Sequence, residues 1–292
     1  MAGASIVDRR AGPAVGRASG EPGAPEASAT TERGPIERGP IALASRFLRD
    51  AAAAGTLARA CVRALRYPRI FLPLTSAQIW DIGIGSIPLV MLVAAISGAV
   101  TSEQSGFQFS PGTMPASIVG RVITSSVLTE LGPVVTALVL VGRVGARIGS
   151  ELATMVVTDQ VYALRATGRD PALYLALPRI LAGALAVPAL VIIADATGMV
   201  AGLGLALVRM PISVADFAAG ARSYFFPFVL WFSLIKGAAF GICITFIGCV
   251  VGLRASGGAA GVGRATTASV VASTIGVMVG DLVLVRLLGV FR

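Results

Sequence analysis

Histidine and asparagine are absent from this 292-residue sequence, and lysine occurs once, at Lys236. Without imidazole the chain has no histidine-based acid–base group and no histidine ligand for a metal, and without asparagine it has no N-glycosylation site. The three cysteines, Cys61, Cys243 and Cys249, are too few for a disulfide framework. Charged residues make up 13% of the chain, about half the share in soluble domains, which disfavours an ordinary soluble domain.

The sequence is instead rich in apolar residues and arginine. Hydrophobic residues make up 55% of the chain, the mean hydropathy is +0.83, and the formal net charge is +9. The positive charge comes almost entirely from arginine, since Lys236 is the single lysine. A basic, apolar chain of this kind is first interpreted as an integral membrane protein.

Phosphate-binding and nucleophile motifs are missing. Lys236 lies between Ile235 and Gly237, so it does not belong to a G-x-x-x-x-G-K-[ST] loop, and no G-x-S-x-G nucleophile elbow occurs. If the protein moves a substrate against a gradient, the energy must come from a partner or an ion. The sequence therefore encodes no nucleotide chemistry, and we expect no enzyme activity, metal or cofactor in this chain itself.

The first part of the chain divides into a tail and an amphipathic helix. Residues 1–40 are rich in Ala, Gly, Pro, Ser, Glu and Arg, which predicts a disordered tail. Residues 41–69 carry apolar side chains at helical spacing with arginines between them, and Pro68 and Pro73 are predicted to break that helix. One interpretation is a helix in the membrane interface on an anionic leaflet; the other is a surface helix packed on its own protein.

Long apolar runs predict an all-α integral membrane protein with five transmembrane helices. The first, Ile82–Val100, has no charge and is flanked by Asp81 and Glu103. The other predicted spans are residues 122–149, 180–208, 223–253 and 265–288. With the N-terminus inside, eighteen arginines are cytoplasmic and five are outside, so the positive-inside rule predicts a cytoplasmic N-terminus and a C-terminus on the outer side.

Ionisable residues interrupt each of the last four spans: Glu130, Asp195, Lys236 and Asp281. Such groups are costly in a bilayer and usually face a cavity or one another. A Glu130–Lys236 pair could line a polar pocket or serve as a structural ion pair, and for Asp195 and Asp281 a structural role is at least as well supported.

Two further patterns accompany these charges. Arg143, Arg147 and Glu151 are spaced by four and share one helix face, where snorkelling arginines and a helical ion pair are a sufficient account. Glycine pairs at the same spacing predict close helix packing at five places. These pairs are Gly145/Gly149, Gly198/Gly202, Gly237/Gly241, Gly248/Gly252 and Gly276/Gly280.

The stretch between the second and third spans, Thr154 to Pro171, is too polar to cross a membrane but is patterned as a short cytoplasmic helix. Such a helix could bind a cytoplasmic partner or cap the bundle, and its composition does not decide between the two.

Two motifs resemble the MlaE/YrbE permease family. The first begins with Glu130-Leu131-Gly132-Pro133 and continues through Gly142-Arg143-Val144-Gly145 and Glu151-Leu152-Ala153-Thr154-Met155 to Thr158-Asp159-Gln160. The second is Gly257-Gly258-Ala259 followed by Gly261-Val262-Gly263-Arg264. The resemblance covers residues 70–292, the predicted permease domain, and leaves out the tail.

The resemblance implies the permease subunit of an ABC transporter that moves phospholipids or related lipids between membranes. Members of the family lie in the bacterial inner membrane, with an interfacial helix and five spans. They form a homodimer that binds two cytoplasmic ATPase subunits, which hold ATP and Mg, and an MCE-domain protein on the outer side. No nucleic acid is among these partners.

Matched residue by residue, the resemblance implies roles for single positions. Glu130 and Lys236 lie near the family's lipid pocket, and some members have arginine where this chain has Thr129. The stretch 151–168 corresponds to the family's coupling helix, in which members commonly have Gly, Glu and Asp where this chain has Ala153, Asp159 and Tyr162. The candidate ATPase contacts are Glu151, Thr154, Met155, Thr158, Asp159, Gln160 and Leu164. The remaining structural or cavity charges are Arg143, Arg147, Asp195 and Asp281.

Two other functions stay open at this point. An ion-coupled secondary transporter could use Glu130, Asp195 or Asp281 as proton carriers, and a non-transporting scaffold could anchor an MCE protein.

Overall fold

A computed structural model describes residues 40–108 and 115–289, with side chains described for residues 51–107 and 115–287. All regular elements in this part of the chain are helices, as predicted. They are α1 (Pro40–Ala64), α2 (Pro68–Ile82), α3 (Ile87–Gln108), α4 (Ser117–Val157), α5 (Gln160–Ala166), α6 (Ala172–Arg209), α7 (Val214–Tyr224), α8 (Pro227–Gly252) and α9 (Gly258–Gly289). The predicted tail, residues 1–40, lies outside the described residues apart from Pro40. The described residues from Arg46 onward belong to one compact unit, and residues 40–45, at the start of α1, belong to another.

Helix α1 is amphipathic, as its sequence pattern indicates. Cys61 and Ala64 are buried, and Leu57 and Ala60 pack against the same core, while Arg59 and Arg63 are exposed. Burial, with a smaller effect from Asp170, raises the pKa of the Cys61 thiol to about 11, so this thiol stays protonated at neutral pH. Its position in a membrane interface stays a prediction.

The first span differs from its predicted form. Helix α1 ends at Ala64, and α2 begins at Pro68. The missing N–H of proline costs nothing in the first turn of a helix. Pro73 lies inside α2. A short 3₁₀ turn, Ile84–Ser86, joins α2 to α3, which continues past Glu103. The candidate membrane-crossing segment is therefore Pro68–Phe107, which contains the predicted span Ile82–Val100.

The second span, α4, is 41 residues long and includes two π-helical stretches, Val127–Val135 and Val141–Gly145. The first contains Pro133, whose ring cannot fit regular α-helical hydrogen bonding. The extra residue per turn changes which side chains face inward, and this stretch carries Glu130.

The remaining spans are present, with different ends. Helix α6 begins at Ala172, eight residues before the predicted start, and α9 begins at Gly258. The predicted fourth span, 223–253, joined two elements: Ser223 belongs to α7, and α8 begins at Pro227. The described residues contain five helices long and apolar enough to cross a membrane, and large apolar side chains cover their outer faces.

Helix α7 begins with a capping box. The Ser213 hydroxyl accepts the Asp216 backbone N–H, and the Ser213 backbone N–H donates to the Asp216 carboxylate. Hydrogen bonds from Ser213 hold the pKa of Asp216 below its usual value. This cap explains why a separate helix begins here.

The two ends of the bundle are named after the helices α5 and α7. The α5 end holds α5 and the turn between α8 and α9; the α7 end holds α7, the last turn of α3 and the first turn of α4.

Glycines allow the spans to approach closely. A Cβ on Gly98 of α3 would clash with the Gly198 carbonyl of α6, and one on Gly241 of α8 would clash with the Gly183 carbonyl of α6. Two of these four glycines, Gly198 and Gly241, belong to the predicted pairs. Helix α6 therefore lies in backbone contact with neighbours on both sides.

Replacing Gly98 by alanine should destabilise the bundle by about 1–3 kcal/mol, because the new methyl group overlaps backbone that cannot move alone. The thermal unfolding midpoint of the purified chain in detergent measures this. Gly204→Ala on α6 is the matched control, because a Cβ there meets open space. Equal midpoints for the two variants would contradict the proposed close packing.

Candidate substrate site and coupling surface

Lys236 is the centre of a charge cluster inside the bundle. Its side chain is 0% exposed, and its Nζ lies 3.0 Å from Glu130 Oε2 and 2.7 Å from Asp281 Oδ1. Nζ also donates to the Thr129 carbonyl at 2.9 Å and lies 5.1 Å from the centre of the Phe232 ring. Three spans, α4, α8 and α9, thus meet at one ammonium group, and we call these residues the Lys236 cluster.

The Glu130-Leu131-Gly132-Pro133 motif has a physical explanation at this cluster. Pro133 has no N–H, so it cannot satisfy the Thr129 carbonyl four residues earlier in the helix. That carbonyl instead accepts a hydrogen bond from Lys236. The motif therefore places a backbone acceptor for the cation next to the glutamate that neutralises it.

Gly132 makes room for Asp195, the fourth ionisable residue within the spans. Asp195 of α6 is 3% exposed, and its Oδ1 occupies the space where a Cβ on Gly132 would lie. Its Oδ2 accepts a hydrogen bond from the Ser233 hydroxyl at 2.9 Å, whereas Oδ1 has no hydrogen-bond partner among the described residues. Ser233 lies three residues before Lys236 on α8, so Asp195 adjoins the Lys236 cluster.

The three charged side chains of the Lys236 cluster differ in their exposure. Lys236 is enclosed, whereas the Glu130 side chain is 47% exposed and the Asp281 side chain 22%. Glu130 borders a cavity of about 550 Å³ between α3, α4 and the end of α7. The other lining residues are Ile96, Ser97, Val100, Thr101, Gln104, Ser125, Ser126, Thr129, Leu131 and Tyr224. Glu130 is the charged member of this lining, so the cavity presents an acceptor to its contents.

A second network joins three helices towards the α5 end. Arg147 pairs with Glu151 at 2.7 Å, as their spacing indicates, and with Asp81 of α2 at 3.1 Å. Glu151 also pairs with Arg179 of α6 at 3.2 Å, and the Arg179 side chain is only 7% exposed. Arg143 lies over Gly85, where a Cβ would be 2.7 Å from its Nη2. Glu151, a candidate ATPase contact, is thus held within the permease.

Glu151→Gln should lower the free energy of unfolding by about 2 kcal/mol, because it leaves the buried Arg179 without its carboxylate. Thermal unfolding in detergent tests this. Glu103→Gln is the matched control, since its partner Arg209 is 61% exposed and a surface pair contributes about 0–1 kcal/mol. A larger loss for Glu103→Gln than for Glu151→Gln would contradict the interpretation.

The predicted coupling region is an exposed turn and short helix. Helix α4 continues through Thr154 and Met155, so the separate helix is Gln160–Ala166, shorter than the predicted stretch. Asp159 joins the two helices with a φ of 58°, a left-handed conformation that short polar residues tolerate. Thr158, Asp159 and Gln160 are exposed, and Tyr162 is 74% exposed.

The remaining candidate contacts differ in exposure. Thr154 is exposed, Leu164 is half-buried, and Met155 packs partly against the core. The outward surface is therefore made by Thr154, Thr158, Asp159, Gln160 and Tyr162, which we call the α5 surface.

The second motif forms the turn between α8 and α9. Gly257 and Gly258 have φ values of 89° and 63°, which residues with a side chain rarely adopt. A Cβ on Gly261 would clash with the Ser256 carbonyl. The motif thus turns the chain sharply from one span into the next.

Sequence reasoning missed several contributors. It paired Lys236 with Glu130 but did not identify Asp281 as a second partner, nor Ser233, nor the Asp81 and Arg179 contacts. A detectable signal was the single lysine beside several intramembrane acids, which suggests that more than one carboxylate shares it.

In the described part of the chain, five helices long and apolar enough to cross a membrane, with an enclosed charge cluster among them, define a multi-pass membrane protein. Residues 75–287 match the family described as Permease MlaE, and the chain belongs to this family. It is similar to a probable ABC transporter permease of Rickettsia conorii, at 36% identity over 78% of this chain and 88% of the relative. It is also similar to the chloroplastic protein TRIGALACTOSYLDIACYLGLYCEROL 1 of Arabidopsis thaliana, at 34% identity over 72% of this chain and 60% of the relative. A probable ABC transporter permease of Synechocystis is 33% identical over 71% of this chain and 78% of the relative.

Proposed function

We propose that this ABC permease moves phospholipids or related lipids, and that the cavity beside Glu130 receives the lipid headgroup. The observation that carries the proposal is the partly exposed Glu130, held by an enclosed lysine and opening into a cavity of about 550 Å³. The family resemblance supports a lipid substrate, as does the Arabidopsis relative, whose name contains a galactolipid.

One side of the cavity wall is polar and another side is apolar. Ser125, Ser126 and Glu130 form its polar side, whereas Ile96 and Val100 of α3 also lie on the outer face, 55% and 50% exposed. A headgroup with ammonium or hydroxyl donors fits beside Glu130, and acyl chains fit along α3. Lys236 has a positioning role, because its enclosed ammonium group fixes the Glu130 carboxylate.

The partners follow from the class of transporter. A second copy, two ATPase subunits with ATP and Mg, and an MCE-domain protein would complete the assembly in the bacterial inner membrane. The α5 surface would then face the cytoplasm and the α7 end the opposite side, with the C-terminus outside. ATP binding would move α5 and shift the bundle between two packings, only one of which favours lipid binding.

The test uses the full complex, with ATPase subunits and MCE partner, in vesicles containing a fluorescent phospholipid. We expect ATP-dependent transfer to acceptor vesicles, and at least a tenfold lower rate for Glu130→Gln. Mass spectrometry of purified complexes should show correspondingly less bound lipid. Glu103→Gln, a glutamate at the α7 end outside the cavity lining, is the matched control.

Other results would favour the other functions. Transport by the permease alone, driven by a pH gradient and indifferent to the ATPase subunits, would establish an ion-coupled carrier. Function that persists after the ATPase subunits are removed, without lipid transfer, would establish a scaffold. Unchanged lipid binding and transfer in both Glu130→Gln and Lys236→Ala would show that the headgroup lies elsewhere.

A further inference from the structure

The cavity of about 550 Å³ beside Glu130, which we call the Glu130 cavity, has a lining rich in hydroxyl groups. Six of its eleven lining residues carry one: Ser97, Thr101, Ser125, Ser126, Thr129 and Tyr224. Glu130 is the acid, Gln104 adds an amide, and neither arginine nor lysine lines the cavity in the described part of the chain. Residues 109–114, between α3 and α4, contain no charged residue. The described lining therefore offers a phosphate no cationic partner.

Three of these hydroxyl groups already donate their proton to the backbone of their own helix. On α3, Thr101 Oγ1 donates to the Ser97 carbonyl at 2.8 Å. On α4, Thr129 Oγ1 donates to the Ser125 carbonyl at 2.7 Å, and Ser125 Oγ donates to the Val122 carbonyl at 2.9 Å. Because a hydroxyl group has one proton and two lone pairs, each of these groups can still accept a hydrogen bond but has no proton left to donate. Towards a ligand they act as acceptors.

Glu130 adds a charged acceptor to this set. Its Oε2 lies 3.0 Å from Lys236 Nζ, whereas Oε1 has no hydrogen-bond partner among the described residues, and the side chain is 47% exposed. Lys236 is 0% exposed, and its ammonium group is shared with Asp281. One ammonium group and two carboxylates leave the Lys236 cluster with a net formal charge of −1. A ligand in the cavity therefore meets negative charge without access to the cation.

Acceptors of this kind distinguish lipid headgroups by two properties. A primary ammonium group donates N–H hydrogen bonds and a sugar donates O–H hydrogen bonds, whereas a choline group has neither kind of donor. A phosphodiester with no cation of its own, as in phosphatidylglycerol, is repelled by Glu130 and meets no arginine or lysine in the described lining. Repulsion of the wrong ligand contributes to specificity together with attraction of the right one.

We propose that the Glu130 cavity selects lipids whose headgroup carries hydrogen-bond donors and no net negative charge, and that Thr101, Ser125 and Thr129 determine this selectivity together with Glu130. Phosphatidylethanolamine and an uncharged glycosyl diacylglycerol both have this chemistry. The headgroup donates to Glu130 Oε1 and to the three hydroxyl oxygens. The inference rests on the proposed function, because it places the transported headgroup in this cavity.

The lipids that stay bound to the purified complex test this. The full complex, with ATPase subunits and MCE partner, is reconstituted in vesicles of equal parts phosphatidylethanolamine, monoglucosyl diacylglycerol, phosphatidylcholine and phosphatidylglycerol, all with the same acyl chains. It is then purified for mass spectrometry. We expect phosphatidylethanolamine, monoglucosyl diacylglycerol or both to be enriched at least fivefold over the other two lipids, and their ratio shows which donor the cavity prefers. Phosphatidylcholine or phosphatidylglycerol retained as strongly as the most enriched lipid would overturn the proposal.

Substitutions of similar shape test the hydroxyl acceptors. Thr101→Val/Thr129→Val removes two acceptors and should lower the enrichment at least threefold. Thr197→Val on α6 is the matched control, because that hydroxyl group also donates to a backbone carbonyl, that of Ile193, but does not line the cavity. Unchanged enrichment in the double variant would contradict the role of the hydroxyl groups.

An added cation tests the exclusion of anionic headgroups. Gln104→Arg places a guanidinium group in the lining, at an exposed position of α3, and should raise bound phosphatidylglycerol at least fivefold. Gln78→Arg, the same change on α2 outside the lining, should leave bound phosphatidylglycerol at the level of the unmodified complex. If Gln104→Arg also leaves it at that level, exclusion by charge is wrong.

Glu130→Gln separates this inference from the proposed function. Equal retention of the four lipids in the unmodified complex, lost in Glu130→Gln, would overturn the selectivity and leave the headgroup site in place. Retention that Glu130→Gln does not change would show that the headgroup lies elsewhere, and both proposals would then fail.

Discussion

Lys236→Met should lower the free energy of unfolding by about 3–5 kcal/mol and abolish lipid transfer. The substitution leaves the Glu130 and Asp281 carboxylates facing each other without the cation that lies 3.0 and 2.7 Å from them. Removing the buried cation is costly because it leaves two neighbouring carboxylates with no opposite charge between them. It also removes the hydrogen bond that Lys236 donates to the Thr129 carbonyl. Thermal unfolding in detergent and vesicle transfer measure the two effects.

Neutral variants separate structure from function at this cluster. Lys236→Met with Glu130→Gln and Asp281→Asn removes the unpaired charges, so we expect it to recover most of the lost stability. It should not recover lipid transfer, because Glu130 no longer presents a charged acceptor to the cavity. Arg286→Met removes an exposed cation from α9 and should change neither measurement. Full transfer by the neutral triple variant would show that the charges only stabilise the fold.

The architecture could be predicted from the sequence because a helix that crosses the hydrocarbon of a membrane must be long and apolar. Apolar length identified all five spans, and alternating faces identified α1. Span ends were harder to predict, because polar residues such as Glu103 and Arg179 can lie in the helix when a partner on a neighbouring helix meets them. Helix α2 was missed because Pro68 was interpreted as a break, although proline is equally suited to the first turn of a helix.

The site was only partly predictable for a different reason. Sequence shows that Glu130, Asp195, Lys236 and Asp281 interrupt spans, but their partners depend on helix rotation and on the π-helical stretch of α4. One residue of π-helix turns the following side chains by roughly a quarter of a turn, which no periodicity in the sequence records. The contact between Asp195 and Gly132 could not be predicted for the same reason, because it depends on how two spans pack against each other.

Tyr162→Ala should weaken binding of the partner ATPase at least about 30-fold, which corresponds to about 2 kcal/mol. Tyr162 is 74% exposed at the α5 end, and exposed tyrosines are common hot spots of protein interfaces. The positive φ of Asp159 sets the angle between α4 and α5 and so presents the ring outward on a short helix. Because α4 also carries Glu151 and Glu130, we expect a force applied to α5 to be transmitted along α4 towards the cavity.

The measurement is binding of purified ATPase subunit to the permease in nanodiscs, followed by ATP hydrolysis of the reassembled complex. Tyr67→Ala is the matched control, since that ring is 58% exposed but lies between α1 and α2. We expect Tyr67→Ala to bind the ATPase normally, and Tyr162→Ala to keep the unfolding midpoint of the unmodified chain because its ring supports no core contact. If Tyr67→Ala loses the ATPase and Tyr162→Ala retains it, the partner docks on the α1 side, and the force must reach the cavity through α2 and its Asp81–Arg147 contact.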